Sequence, residues 1–114
     1  MPVQVYKLIT RMAETRYKRG RASEYKAMHE LEADGYTVAR MSGSHGTFDL
    51  IAWTEFEIRF IQIKSWSTSR KPTYRVERAA IALAKIPTNS SAELWARKHG
   101  QEGWDLREII QKAH

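Results

Sequence analysis

Three polar residues interrupt a stretch of the chain that is otherwise strongly apolar. Asp49 lies in one apolar run, residues 47–53, and Gln62 and Lys64 lie two residues apart in a second run, residues 58–64. The short polar spacer between the runs favours an antiparallel hairpin. A carboxylate, an amide and an amine placed together on a hairpin are groups that could bind a cation and act on a phosphate.

The pairing of the two strands decides whether these groups meet. If Trp53 pairs with Ile58, Asp49 lies directly opposite Gln62, with the two Cβ atoms about 5 Å apart. Because side chains alternate along a strand, Lys64 falls on the same face as Gln62. A slip of one residue would separate the three groups. On the other face we expect apolar packing by Phe48, Leu50, Ile61 and Ile63.

A second carboxylate comes from an earlier helix. The pattern over residues 22–34 predicts an amphipathic helix that ends at Gly35. At 100° per residue, Glu24 lies within about 60° of the apolar residues Ala27 and Leu31, so it points towards the core and needs a partner. The alternative is an exposed glutamate that complements the helix dipole.

These groups fit magnesium-dependent hydrolysis of a phosphodiester. Mg²⁺ prefers oxygen ligands and commonly keeps several waters beside one or two protein carboxylates. Asp49, the Gln62 side-chain oxygen and Glu24 could supply such a partial shell, and Lys64 could position the attacking water. The alternative is an ordinary Asp–Lys ion pair at the end of a sheet, which adds little stability.

The elements needed to hold these residues fit a single α/β domain of 114 residues. An additional N-terminal helix is predicted over residues 3–18, with Val5, Leu8, Ile9 and Met12 on one face. An apolar helix over residues 74–85 should lie against the sheet, partly covered by a neighbour. The predicted strands are residues 36–41, 47–53 and 58–64, followed by two around Leu94 and Trp104.

The composition favours a polyanionic partner. Lysine and arginine number 19 against 13 acidic residues, which gives a formal charge of +6. The chain has no cysteine, which excludes disulfides and thiolate metal sites. No apolar run approaches the length of a membrane span, and no secretory signal is evident, so we expect a cytoplasmic protein.

At the chemically interesting positions the sequence resembles the PD-(D/E)xK nucleases, and among them the archaeal-type Holliday junction resolvases. The matching residues are Glu24 on an early helix, Gly-Thr-Phe-Asp-Leu-Ile-Ala at residues 46–52 and Ile-Gln-Ile-Lys at residues 61–64. The order of elements matches over about residues 18–110. Two positions depart from the family pattern, since Phe48 replaces the usual proline and Gln62 the usual glutamate. The Gln-x-Lys form resembles Mrr-like restriction endonucleases.

The resemblance implies a fold, a cofactor and a set of partners. The fold would be a restriction-endonuclease-like mixed five-stranded sheet flanked by helices, and the metal would be Mg²⁺, with Mn²⁺ able to substitute. The substrate would be branched DNA, a four-way junction, cleaved by a homodimer whose two-fold symmetry suits it. Contacts to DNA would come from two basic segments and a serine-containing loop, namely Lys18, Arg19, Arg21, Ser42, Ser44, Arg70 and Lys71.

Three other functions stay open at this point. The chain could be a different nuclease of the same superfamily, Mrr-like or nicking. It could be a non-catalytic DNA-binding module whose metal site is weakened by Gln62. It could also be a basic domain that binds RNA or another protein, because a run of charge is often only a solvated face.

Overall fold

The computed structural model describes residue 18 and residues 20–41 and 46–114. Apart from residue 18, the predicted helix over residues 3–18 lies outside this part of the chain. The first helix, α1, runs through residues 20–33. It ends as predicted at Gly35, which adopts φ 95°, and the Tyr36 N–H donates to the Leu31 carbonyl at 3.0 Å. This left-handed glycine with its backward hydrogen bond is a Schellman cap.

Five strands follow α1 and form one mixed sheet. The elements after α1 are β1 (Thr37–Arg40), β2 (Leu50–Trp53), β3 (Ile58–Trp66), α2 (Arg75–Leu83), β4 (Ser90–Lys98) and β5 (Leu106–Ala113). The strands lie in chain order across the sheet. All neighbours are antiparallel except β3 and β4, which are joined through α2 as parallel neighbours require. The predicted mixed five-stranded sheet with flanking helices is confirmed.

The predicted hairpin register is also confirmed. Trp53 pairs with Ile58 and Leu50 with Ile61. The Asp49 N–H donates to the Ile61 carbonyl at 2.9 Å, one residue out of step with the pairing of Leu50 and Ile61, so the regular ladder ends at Leu50. Asp49 still lies against β3, because the Ile63 N–H donates to its carboxylate. Its direct pairing with Gln62 stays a prediction.

Two apolar layers cover the sheet. On the α1 side, Ala27 and Leu31 pack against β2, β3 and Trp95. On the α2 side, Tyr74 and Ile81 pack against the alternate residues of β4. To the first layer the strands β2 and β3 contribute Leu50, Ala52, Ile61 and Ile63. To the second layer β4 contributes Ala92, Leu94 and Ala96.

One packing prediction was wrong. Phe48 does not join Leu50 on the α1 face; it packs in the α2 layer with its ring 5.4 Å from that of Phe60. The reason is that β2 begins only at Leu50, so residue 48 precedes the alternation. The helix α2 lies against the sheet as predicted, through its buried Ile81, while Val76 is 79% and Leu83 83% exposed on the single chain. A helix that is apolar on most sides does not reveal which face meets the sheet.

The strand β4 is buried on both faces, because Trp95 lies in the α1 layer and Ala92, Leu94 and Ala96 lie in the α2 layer. The sequence alternates apolar and polar residues here, which would suit a half-exposed strand. Its polar residues instead lie in the interior with partners. Glu93 pairs with Arg59, and Arg97 donates to the Ser23 hydroxyl. No helix in the described ranges is long and apolar enough to cross a membrane.

Candidate functional site

Asp49 lies at the end of the sheet with its carboxylate held by the neighbouring strand. The Ile63 N–H donates to Asp49 Oδ2 at 2.7 Å. Burial raises the pKa of this carboxyl above its usual value, and the Ile63 hydrogen bond and the positive charges of Lys64 and Arg40 offset only part of that effect. Ionised Asp49 is therefore costly to the fold and would be stabilised by a further cation.

Gln62 supplies an oxygen atom that the described protein leaves unsatisfied. Its side-chain oxygen, Oε1, is buried and has no hydrogen-bond partner among the described residues. Buried polar atoms of this kind are uncommon in native proteins, and each one calls for a physical explanation. Gln62 lies between Ile61 and Ile63, the two residues of β3 that are hydrogen-bonded to Asp49, so the two oxygen donors belong to adjacent strands.

Lys64 lies two residues beyond Gln62 on the same face of β3. Its ammonium nitrogen, Nζ, is 3.9 Å from Glu77 Oε2, in the first turn of α2. The Lys64 side chain is 37% exposed, so its amine remains accessible to a ligand. Sequence reasoning missed Glu77, although the predicted helix over residues 74–85 already placed an acidic residue in the first turn beside the strand that carries Lys64.

Glu24 points inward as its helical position predicts, but its partner is a residue that the sequence had not singled out. The Nε–H of Arg40 donates to Glu24 Oε2 at 3.0 Å. Arg40 also acts electrostatically on Asp49. The structure thus connects Glu24 to Asp49 through Arg40. Arg40 could have been suspected because it is the last residue of β1, directly beside the start of β2.

The residues present fit a hard divalent cation with few protein ligands. The Asp49 carboxylate and the Gln62 amide oxygen are both oxygen donors, which is the chemistry that Mg²⁺ and Mn²⁺ accept. Within the described ranges, no group of three or more His, Cys, Asp or Glu side chains is arranged to hold a metal. Such a cation would therefore keep several waters, as is usual for Mg²⁺.

The basic residues predicted to contact DNA flank Lys64. Lys18, Arg70 and Lys71 are exposed, and Arg21 is half-buried. A groove of about 570 Å³ runs from Gly20 at the start of α1 past Lys64 towards the segment after β3. The lining residues Gly20, Thr68 and Pro72 are close in the sequence to the two basic segments. Three further predicted contacts lie outside the described residues: Arg19, Ser42 and Ser44.

A smaller cavity of about 250 Å³ lies at the opposite end of the sheet. Its lining includes Arg59, Glu93 and Lys112. It contains none of the residues predicted to bind metal or DNA, and the charged groups Arg59 and Glu93 are already paired with each other. The groove beside Lys64 is therefore the better place for chemistry.

Comparison with known proteins adds one finding. A family model described as PD-(D/E)XK endonuclease matches residues 14–91. The matched segment contains all four residues of the proposed site, Glu24, Asp49, Gln62 and Lys64, and ends just inside β4. No curated protein and no solved structure matches the chain.

Proposed function

The chain belongs to the PD-(D/E)XK endonuclease family, and we propose that it is a magnesium-dependent, structure-selective DNA endonuclease whose preferred substrate is a four-way junction. Membership of the family supports a nuclease that acts on DNA. The proposed metal-dependent cleavage rests on the buried carboxylate of Asp49 and the unpartnered buried oxygen Gln62 Oε1 on the adjacent strand, with Lys64 two residues beyond Gln62. The proposed junction preference rests on the resemblance to the archaeal-type resolvases.

Each residue of the site has a distinct role. Asp49 and Gln62 would hold the cation through oxygen atoms on neighbouring strands. When bound, Mg²⁺ supplies positive charge that offsets the negative charge building on the phosphate. Lys64 orients the attacking water and donates hydrogen bonds from Nζ to the reacting oxygens. Glu24 holds Arg40 beside Asp49 through its Oε2 atom, and its other oxygen, Oε1, is the atom through which it would join the metal ligands.

The DNA contacts follow the charge around the groove. Lysine and arginine side chains on both sides of Lys64 would bind phosphates on either side of the cleaved bond and fix the register of the strand. The loop serines would contact the backbone next to Asp49. The proposed contacts are Lys18, Arg19, Arg21, Ser42, Ser44, Arg70 and Lys71.

A homodimer is part of the proposal. A four-way junction has two-fold symmetry, and two copies of the chain related by the same symmetry would cut opposite strands. The exposed apolar side chains of Val76 and Leu83 on α2 supply surface that a second copy could cover. Sedimentation velocity with and without junction DNA measures the number of copies.

The decisive experiment compares three labelled DNAs of related sequence: a four-way junction, a duplex and a single strand. Each is incubated with Mg²⁺, Mn²⁺ or a chelator. We expect cleavage of the junction with either metal and none with the chelator. Asp49→Asn and Lys64→Ala should each lower the cleavage rate by about 100-fold or more, while junction binding stays within several-fold, because the basic segments supply the affinity.

Other outcomes identify the alternatives. Faster cleavage of the duplex would indicate an Mrr-like or nicking nuclease. Tight junction binding without cleavage under any metal would indicate a binding module, the alternative that the neutral Gln62 favours. Equal loss of binding and cleavage in Asp49→Asn would contradict the catalytic role of that residue.

A further inference from the structure

Glu77 reaches the candidate site from the helix that follows β3. Its Oε2 atom lies 3.9 Å from Lys64 Nζ, and its side chain is 27% exposed. The position of α2 is fixed because Ile81 and the preceding Tyr74 are buried against the sheet. The geometry of the fold therefore holds a carboxylate against the amine of Lys64.

The charges around Asp49 form pairs. Arg40 is bound by Glu24, and Lys64 faces Glu77. Because the side chains of Arg40 and Lys64 each have a carboxylate nearby, they do not fully neutralise Asp49, and a further cation could bind there. Without Glu77, the ammonium of Lys64 would oppose a divalent ion placed beside Asp49 and Gln62, because unit charges a few ångströms apart still interact appreciably in a partly solvated site.

We propose that Glu77 is a positioning residue of the nuclease site, which orients Lys64 and neutralises its charge. It also supplies from α2 a second carboxylate charge, in place of the glutamate that Gln62 replaces. This inference rests on the proposed function. A purely structural explanation also exists, since an acidic residue in the first turn of a helix is stabilised by the helix dipole. The two explanations differ in what they predict for metal binding.

A matched control exists on the same helix. Arg78 of α2 forms an ion pair with Glu108 of β5, so Glu108→Gln removes one carboxylate from an ion pair with α2 and leaves Lys64 unchanged. Glu77→Gln keeps the volume of the side chain and should fold. Glu77→Asp keeps the charge but shortens the side chain by one methylene group.

The first measurement is binding of Mn²⁺ to the DNA-free protein by titration calorimetry. Glu77→Gln should weaken binding by about three- to tenfold, the size expected for one charge acting across a partly solvated site. Glu77→Asp should lose less than Glu77→Gln, and Glu108→Gln should match the wild type. Equal Mn²⁺ affinity in Glu77→Gln and the wild type would overturn the inference.

The second measurement is single-turnover cleavage as a function of DNA concentration. Glu77→Gln should lower the maximal rate with little change in the DNA concentration that gives half of it, because Glu77 acts through Lys64 and not on DNA affinity. The loss should shrink when Gln62→Glu is also present, since the added carboxylate supplies the same charge. An identical fold-loss in both backgrounds would show that the two positions are independent.

Failure of this inference is distinguishable from failure of the proposed function. If the wild type cleaves DNA and Glu77→Gln behaves like Glu108→Gln in both measurements, the inference is wrong and the proposed function stands. If the wild type cleaves no DNA with any metal, the proposed function is wrong, and the Mn²⁺ titration still decides whether Glu77 contributes to cation binding.

Discussion

Replacement of Glu93 by glutamine should destabilise the fold strongly without touching the candidate site. Glu93 is 2% exposed in β4, which lies between β3 and β5. Its carboxylate accepts two hydrogen bonds from the Arg59 guanidinium, at 2.7 and 2.8 Å. It accepts two more from the Ser91 hydroxyl at 2.8 Å and the Trp95 indole at 3.1 Å. A neutral amide cannot accept all of these bonds, and it leaves the charge of Arg59 unpaired.

The expected loss follows from the burial of both partners. Removing one member of a buried ion pair costs about 3–5 kcal/mol, because the remaining charge stays desolvated. Glutamine preserves the side-chain volume and one acceptor oxygen, so the stability lost in Glu93→Gln should lie at the lower end of this range, at about 3 kcal/mol. That is a large part of the 5–15 kcal/mol that stabilises a typical domain. The matched control Glu108→Gln breaks a more exposed pair and should cost less than about 1 kcal/mol.

The stability lost in Glu93→Gln should depend on pH. Burial by itself raises the pKa of Glu93, but hydrogen bonds from Arg59, Ser91 and Trp95 and the charge of Arg59 more than offset it, and the net pKa is lowered. A carboxyl with a lowered folded-state pKa stabilises the protein above its unfolded pKa, and this stabilisation is lost as the pH falls through the folded value. The difference between wild type and variant should therefore narrow below about pH 4.

Urea denaturation at pH 7 and pH 3.5 measures both effects. Equal stability of wild type and Glu93→Gln at pH 7, or a difference unchanged at pH 3.5, would refute the assignment of Glu93 as the carboxylate of a buried ion pair. At a temperature where the variant is folded, its cleavage rate should equal that of the wild type, because Glu93 lies away from the groove that contains Lys64.

Three further predictions concern the site and its DNA contacts. Asp49→Asn should raise the free energy of unfolding at pH 8 without divalent metal, since burial raises the Asp49 pKa and makes the ionised form costly. This gain in stability should shrink as the pH falls and the carboxyl of the wild type protonates, and a loss of stability at pH 8 would contradict the prediction. Gln62→Glu should make cleavage saturate at lower Mg²⁺, because a charged ligand replaces a neutral one; a higher Mg²⁺ midpoint would argue against Gln62 as a ligand. Replacing Arg19 and Arg21 by glutamate should weaken binding to every DNA form and reduce the slope of log Kd against log salt concentration by about two. An unchanged slope would show that this segment does not contact the DNA phosphates.

The hairpin and the end of α1 were predictable because local patterns determine them. The alternation of apolar residues and the short spacer between Trp53 and Ile58 allow one register that buries a continuous face, and the structure has that register. Gly35 marks the end of α1 because few other residues adopt its positive φ without strain. These features depend on residues that are neighbours in the sequence.

The partners of the charged residues were not predictable in the same way. Glu24 binds Arg40, and Lys64 faces Glu77. Each contact joins residues on different elements, and its existence depends on how those elements pack. The helical period showed that Glu24 points inward, but only the position of β1 identifies its partner. The buried charges of β4 were missed for a related reason, since the sequence does not show that both faces of β4 are covered.

Two buried carboxylates lie on either side of β3, next to Ile61, and the fold treats them in opposite ways. On the β4 side, Glu93 receives four hydrogen bonds and its pKa is lowered. On the β2 side, burial keeps the pKa of Asp49 raised, and the oxygen of Gln62 has no partner among the described residues. This difference is the strongest physical argument for where function lies. A fold able to satisfy one buried carboxylate so completely leaves the other incompletely compensated only at a cost in stability. A cation held between Asp49 and Gln62 would remove both costs at once, because it would offset the charge of the ionised carboxylate and give the Gln62 oxygen a partner.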